Sequence, residues 1–455
     1  MADTSKKNAN NVDMINGSLF DKIVMFALPL AASSILQQLF NAADLAVVGR
    51  FASANAMAAV GSNAAVINLI ISTFIGLSIG ANTMLGIQIG SCRKNEINDA
   101  VHTVIASAFV FGFALIIIGW FLSRRILILM AAPTEVMELA IIYLRTYFFA
   151  MPAIMVYNYG SAVLRSKGDS KRPLYAMTLS GVVNIVLNLI FVVGFNLHVI
   201  GVGLATVFSN MLSAGLVLYF LMTEEELFRV DLRKLKIQKK YLVQMMKIGL
   251  PAGIQGAVFS LSNVVIQSSV NSFGANAIAG STAASNFDFI SYCAINAFAQ
   301  SAVTFTSQNY GAMKYDRCKK VFRMCLLGGF SVSVVIVLVL MIFRYSVIGI
   351  FTTDPDVIEF AMIRLANAFS LHFLIASYEV SGGCLRGMNH SLVPAVISIL
   401  GTCVFRLLYV FTYIPDHHDF ALLFRVYPIS WVITGILTIS AYYIVRNRVF
   451  KAGAQ

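Results

Sequence analysis

Leu164-Arg165-Ser-Lys-Gly168-Asp169-Ser-Lys-Arg-Pro173 has a counterpart in Leu385-Arg386-Gly-Met-Asn389-His-Ser-Leu-Val-Pro394, 221 residues further along a chain of 455. In both, Leu-Arg stands eight residues ahead of a proline. The same spacing, within a residue or two, recurs elsewhere. Phe26-Ala-Leu-Pro29 matches Ile248-Gly-Leu-Pro251. Phe51-Ala-Ser-Ala-Asn55-Ala56 matches Phe273-Gly-Ala-Asn276-Ala277 with one gap. Gln88 and Lys94 match Gln308 and Lys314, and Glu135-Val136-Met-Glu138-Leu-Ala140 matches Asp356-Val357-Ile-Glu359-Phe-Ala361. Order is kept throughout, so the chain reads as a duplication.

Both copies are built for lipid. Hydrophobic residues make up 58% of the chain and charged residues 12%, where a soluble domain carries about 25% charged. Residues 51–92 and 248–287 hold no acid, base or histidine, and 174–223 holds only His198. A helix needs about 20 apolar residues to cross a bilayer, so each stretch is two helices joined by a tight hairpin. A membrane β-barrel would alternate polar and apolar residues in segments of about ten, and that pattern is absent. The expected spans are 19–48, 57–88, 100–122, 136–163, 173–195 and 198–222, then 243–271, 277–309, 322–343, 357–383, 392–414 and 422–445. The fold class is therefore an all-α polytopic membrane protein, with about twelve transmembrane helices in two pseudo-symmetric six-helix bundles. An even number of spans per copy makes the repeat parallel. The domains follow as an N-terminal tail (1–18), a first lobe (19–222), a linker (223–241), a second lobe (242–446) and a C-terminal tail (447–455). A doubled membrane protein of this kind is built to move one half against the other.

The net charge of +12 invites a nucleic-acid partner, but its placement excludes one. Alternate loops carry it: Lys6 and Lys7; Arg93 and Lys94; Lys167, Lys171 and Arg172; Arg229, Arg233, Lys234, Lys236, Lys239 and Lys240; Lys314, Arg317, Lys319 and Lys320; Arg446, Arg448 and Lys451. The loops near 50–56, 196–200 and 272–276 are nearly bare, with Arg124 and Arg125 the exception. This is the positive-inside pattern, and it puts both termini in the cytoplasm of a cell-membrane protein. No cleavable signal peptide is expected ahead of the first span.

Enzyme chemistry finds little support. Gly76-Leu-Ser78-Ile-Gly80 fits a hydrolase elbow on paper, but that elbow needs a strand-turn-helix setting. Here it lies in an uncharged helical stretch, where small residues serve helix packing. No Gly-Lys pair forms a phosphate-binding loop. His417-His418, between Asp416 and Asp419, reads as a solvated turn more readily than a metal site. The six cysteines form no Cys-x-x-Cys and read as free thiols. Asn16-Gly-Ser18 and Asn389-His-Ser391 fall on the cytoplasmic side, away from glycosylation. No cofactor is expected beyond a coupling ion.

The informative residues are polar groups inside the spans, since a charge at mid-bilayer costs about 2.5–3.5 kcal/mol on insertion scales. Asp44 stands one turn after Asn41, deep in the first span. Burial favours the neutral acid and a bound cation favours the carboxylate, so one such group can exchange a proton for a metal ion. Asn184 and Asn188 share a face of the fifth span, as do Thr206 and Asn210 on the sixth. Together with Asp44 they offer one carboxylate and neutral oxygens, a set suited to Na+. Interhelical packing is the alternative role for each. In the second copy Ile266 and Tyr409 stand where the first has Asp44 and Asn188. That copy has Asp288, Glu379 and Arg406 instead. Glu379 follows Tyr378 as Asn158 follows Tyr157. A Glu379–Arg406 ion pair is one expectation, while Asp288 has no obvious partner. Some of the 34 Phe and 19 Met residues would line a cavity for bulky apolar cations, since methionine-rich surfaces adapt to varied ligands.

Several motifs together resemble the multidrug and toxic compound extrusion (MATE) family. They are Gly17-Ser18-Leu-Phe-Asp-Lys22, Ala27-Leu-Pro29, Gln37-Gln-Leu-Phe-Asn41-Ala-Ala-Asp44-Leu-Ala-Val-Val-Gly49-Arg50, the Leu164–Pro173 stretch followed by Asn184 and Asn188, Gly201-Val-Gly203-Leu-Ala-Thr206, and Gln308-Asn-Tyr-Gly311. The resemblance covers nearly the whole chain. It implies two six-helix lobes around a V-shaped cavity, and export of organic cations and drugs against inward flow of sodium ions or protons. It also implies that Asp44, Asn184 and Thr206 form the first lobe's cation site. Asn188 departs from the many members with aspartate there, and Gln255–Leu261 lacks the acid that the NorM branch carries on helix seven. The chain thus resembles the DinF and MepA-like branches, and weight shifts to Asp288 and Glu379. Expected partners are the lipid bilayer and small amphipathic cations, with the protein a monomer. The rival readings are a lipid-linked oligosaccharide flippase of the same superfamily, which tends to carry about fourteen spans and cationic cavities, and a membrane-embedded enzyme.

Overall fold

The computed structural model describes residues 11–51, 54–129 and 134–452. Lys6, Lys7 and the end of the C-terminal tail lie outside the described residues. Within them, every regular element is a helix. The first copy comprises α1 (Phe20–Phe51), α2 (Ala54–Gly90), α3 (Lys94–Leu129), α4 (Met137–Phe149), α5 (Met151–Ser166), α6 (Lys171–Asn188) and α7 (His198–Met222). The second comprises α8 (Lys239–Asn271), α9 (Ala275–Gly311), α10 (Tyr315–Ile342), the short α11 (Arg344–Ile348), α12 (Pro355–Asn367), α13 (Ile375–Gly387), α14 (Leu392–Ser398), α15 (Phe405–Thr412) and α16 (Phe420–Ala452).

Among the described residues, ten helices are long and apolar enough to cross a bilayer, and a bent pair makes an eleventh. That pair is α4 and α5, which meet at 44° within the single span expected at 136–163. Pro152 explains the break, because it has no N–H to give the Phe148 carbonyl one turn back and its ring crowds that carbonyl. The remaining expected span, 277–309, is α9. It is 37 residues long, but buried hydroxyls and amides such as Ser291, Thr304 and Asn309 dilute its apolar character.

The duplication is exact in the backbone at several places. α2 and α9 are each 37 residues long, and both their ends are 221 positions apart. Each then closes on a left-handed residue, Cys92 at φ 54° and Met313 at φ 56°. The turns are bonded alike: Cys92 N–H to the Ile89 carbonyl and Met313 N–H to the Tyr310 carbonyl, at 3.1 and 3.0 Å. Gly168 (φ 102°) and Asn389 (φ 67°) form a second left-handed pair. Glycine is needed at 168, where a Cβ would stand 2.4 Å from the Val12 carbonyl oxygen. Asparagine tolerates the same region at 389. The copies differ where α6 passes into a π-helical turn at Leu189–Gly194 and α14 into one at Ile399–Val404.

By contacts the chain forms two compact units. Unit 1 comprises Ala32–Lys247 and the segment ending at Asp13, and unit 2 comprises Met14–Ala31 and Ile248 onward. The lobes expected from sequence begin at 19 and 242, in or near loops. The compact units divide inside α1 and α8, next to Pro29 and Pro251, which lie within these helices. In unit 1, α5 packs against α2, α3 and α7; in unit 2, α13 packs against α9, α10 and α16.

Candidate cation and substrate sites

The site in unit 1 starts from a close helix approach. A Cβ on Gly181 of α6 would fall 1.8 Å from the Phe40 ring of α1, so glycine there leaves room for that ring against α6. Asp44 lies one turn beyond Phe40, and Asn184 and Asn188 lie one and two turns beyond Gly181. The contact therefore sets the carboxylate beside the amides. Asn188 Nδ2 donates to Asp44 Oδ1 at 2.5 Å and lies 3.2 Å from Asn184 Oδ1, and Asn184 Nδ2 donates to Ser209 Oγ on α7 at 3.3 Å. Asn188 is fully buried, and its own Oδ1 has no partner. A buried amide oxygen beside a carboxylate is a ready oxygen ligand for a hard cation. Gly181→Val is expected to push Phe40 out, with an overpacking cost of about 1–3 kcal/mol. Cysteine crosslinking between positions 44 and 188 should then fall relative to the same pair in the Gly181 background.

Thr206 and Asn210 join this site only indirectly. The Thr206 hydroxyl donates to the Val202 carbonyl, and Asn210 Nδ2 donates to the Thr206 carbonyl. Ser209 makes the link between α7 and α6, and its three-residue offset from Thr206 was the available sequence signal. Asn41 is exposed and is not gathered in. Two further groups went unread in the sequence: the phenols of Tyr143 and Tyr147 on α4 lie within electrostatic reach of Asp44.

Unit 2 arranges its charges differently from expectation. Asp288 on α9 does have a partner: Arg364 Nη2 of α12 lies 2.6 Å from its Oδ2. Arg364 Nη1 also donates to the carbonyl and hydroxyl of Ser281, and the guanidinium sits 4.9 Å from the Phe424 ring centroid. Arg406 is not paired with Glu379. Its Nε donates to Ser430 Oγ at 2.9 Å, and its guanidinium lies 4.2 Å from the Tyr427 ring centroid. Its neighbours on α16 hold it by a hydroxyl and an aromatic face instead of an acid. Glu379 lies within electrostatic reach of Tyr292 and Arg386. Arg386 in turn donates to Gln255 Oε1 at 2.8 Å. Arg364, a single base within a largely apolar segment, was a signal that the sequence carried.

The Tyr157 hydroxyl donates to the Pro173 carbonyl, Asn158 Nδ2 donates to Ile154 one turn back on its own helix, and Tyr378 is buried. His418 stacks on Phe273 and His417 on Tyr413. No group of three metal-ligating side chains occurs among the described residues. Arg364→Met is expected to strand the Asp288 carboxylate and destabilise the protein by about 3–5 kcal/mol. Adding Asp288→Asn should recover most of that loss in thermal unfolding of the purified protein.

Comparisons with known proteins bear on the family and the fold. The family model MatE matches residues 29–190 and again 251–412, once per copy. The chain belongs to the MatE family. It is 28% identical over 390 residues to the probable multidrug resistance protein YoeA of Bacillus subtilis, covering 84% of each chain. It is 21% identical over 393 residues to the multidrug export protein MepA of Staphylococcus aureus, covering 86% of this chain and 87% of MepA. Among solved structures, an outward-facing multidrug resistance MATE transporter of the MOP superfamily superposes with a TM-score of 0.87 at 23% identity, covering 98% of this chain and 100% of that one. The fold is thus that of MATE transporters.

Proposed function

We propose that this protein is a secondary active multidrug efflux transporter of the cell membrane. It exports amphipathic organic cations by Na+ or H+ antiport through alternating access. It works as a monomer with both termini in the cytoplasm, and it is not an enzyme. The observation that carries this reading is the state of Asp44. Among the described residues no lysine, arginine or histidine pairs with it, whereas Asp288 has Arg364. An acid held inside a span at a cost of a few kcal/mol, with only an amide donor, is a site for a mobile cation. Asn188 Oδ1 and Asn184 are the neutral oxygens around it. With a single carboxylate, one Na+ or one proton neutralises the site.

Ion binding at Asp44 from outside favours the outward-open state and weakens drug binding; drug binding from inside favours ion release, because such coupling is reciprocal. Asp288, Glu379 and Arg406 belong to the second lobe's substrate or coupling machinery. The test is ethidium efflux by the protein in proteoliposomes under separate sodium and proton gradients. Efflux under one gradient supports antiport and names the ion. No efflux under either removes multidrug export and brings the lipid-linked oligosaccharide flippase forward.

A further inference from the structure

Residues 223–238 leave the end of α7, cross the start of α3 and enter α8. They form a fixed strap. Asn98 Nδ2 lies 3.1 Å from the Glu226 carbonyl and 3.2 Å from that of Arg229. The Asp231 N–H donates to His102 Nε2 at 3.0 Å, which leaves Nδ1 to donate to the Asn98 carbonyl at 2.8 Å. The Gln238 N–H donates to Thr103 Oγ1, and Phe228 and Val230 are buried beneath the strap.

The outer face of this strap is cationic. Lys234 pairs with Asp231 and Lys240 with Glu96. Arg229, Arg233, Lys236 and Lys239 are exposed, and among the described residues none of their side chains has an ion pair or hydrogen bond. Leu232 and Ile237, 44% and 37% exposed, lie between them. A cavity of about 1020 Å³ opens between the strap and α3, with Lys94, Arg229, Arg233 and Lys234 on its walls. Glu225, Glu226 and Asp231 are the acids on its walls, and Asp231 is the one paired with Lys234. Three of the basic residues around the start of α10 are used otherwise: Lys314 and Arg317 donate to carbonyls of Met14, Ile15, Asn16 and Gly17, and Lys319 pairs with Asp316.

We propose that the strap over residues 229–239 is a binding site for anionic phospholipid headgroups of the leaflet on the side of both termini. Orienting a membrane protein requires only that such a loop be basic. It does not require a backbone tied to α3, four unpaired cations, or apolar side chains set among them. Those features match a phosphodiester, which guanidinium groups bind through paired hydrogen bonds. They also match an acyl boundary that receives Leu232 and Ile237. The strap meets the ends of two spans, at Met222 and Lys239, where headgroups lie.

The test is native mass spectrometry of the purified full-length protein in detergent with equimolar phosphatidylglycerol and phosphatidylcholine. The wild type is expected to retain phosphatidylglycerol preferentially, less so in high salt. The preference should drop about fivefold per charge removed among Arg229→Gln, Arg233→Gln, Lys236→Gln and Lys239→Gln. Asn98→Ala keeps every charge but loosens the strap, and should lower the preference as well. Equal retention of both lipids by the wild type would overturn the proposal, as would an undiminished preference in the quadruple variant or in Asn98→Ala. Displacement of phosphatidylglycerol by millimolar inorganic phosphate would overturn the lipid assignment in favour of a free anion.

Discussion

Asp44→Asn is expected to reduce ethidium efflux to the level of protein-free vesicles under either gradient, with the fold intact. The substitution keeps the shape of the side chain, and its amide oxygen can still accept from Asn188 Nδ2, which now lies 2.5 Å from Asp44 Oδ1. The Asn188–Asn184–Ser209 connection is therefore undisturbed, and only the charge is lost. A second readout separates loss of coupling from loss of the drug site. In the wild type the coupling ion should shift equilibrium drug affinity by about 5–150-fold. In Asp44→Asn that factor should collapse to one while drug binding itself persists. Drug affinity that still responds to the ion in the variant would remove Asp44 from the coupling site and throw the role onto Asp288 or Glu379.

Glu224→Gln is expected to destabilise the protein by about 3–5 kcal/mol. Its side chain is fully buried and contacts Lys167 and Arg172, while Arg172 also pairs with Asp169. Lys167 is itself 5% exposed, so removing the acid strands buried positive charge. Burial alone would raise the carboxyl's pKa, but hydrogen bonds and charge from Lys167 and Arg172 outweigh it and hold it below the usual range. The pH dependence follows from that sign. The stabilisation is fully present above an unfolded glutamate's pKa of about 4.3 and is lost as pH falls through the lower folded value. Thermal unfolding should therefore separate wild type from variant widely at neutral pH, and the two curves should converge in acid. Glu138→Gln is the control. Its pairing with Arg124 spans 3.9 Å between exposed groups, and such a pair contributes at most about 1 kcal/mol. A gap that persists unchanged into acid would mean that Glu224 acts through packing alone.

The spans and the duplication were legible because lipid imposes them locally. A helix must satisfy its own backbone and reach across about 30 Å, so length and apolarity suffice to find it. Asn184 and Asn188 were legible for a similar reason, since one-turn spacing fixes a shared face. The Asp288–Arg364 pair was not legible. It joins residues 76 apart on different helices, and nothing in either sequence neighbourhood announces the other. The same holds for Arg406, whose partner turned out to be Ser430 and an aromatic face. The bend at Pro152 was readable from proline alone, whereas the softer character of α9 dissolved a hydropathy signal that its length preserved.

The division of the compact units inside α1 and α8 bears on how the gene could be split. The basic linker is the obvious place to cut, yet a cut there gives neither fragment a complete unit. The first fragment would carry Met14–Ala31, which packs with the second unit, and it would lose part of Ile248's upstream neighbourhood, the stretch through Lys247 that packs with the first. Each half would hold a piece of its partner's core. Such fragments would each need the other to complete a unit.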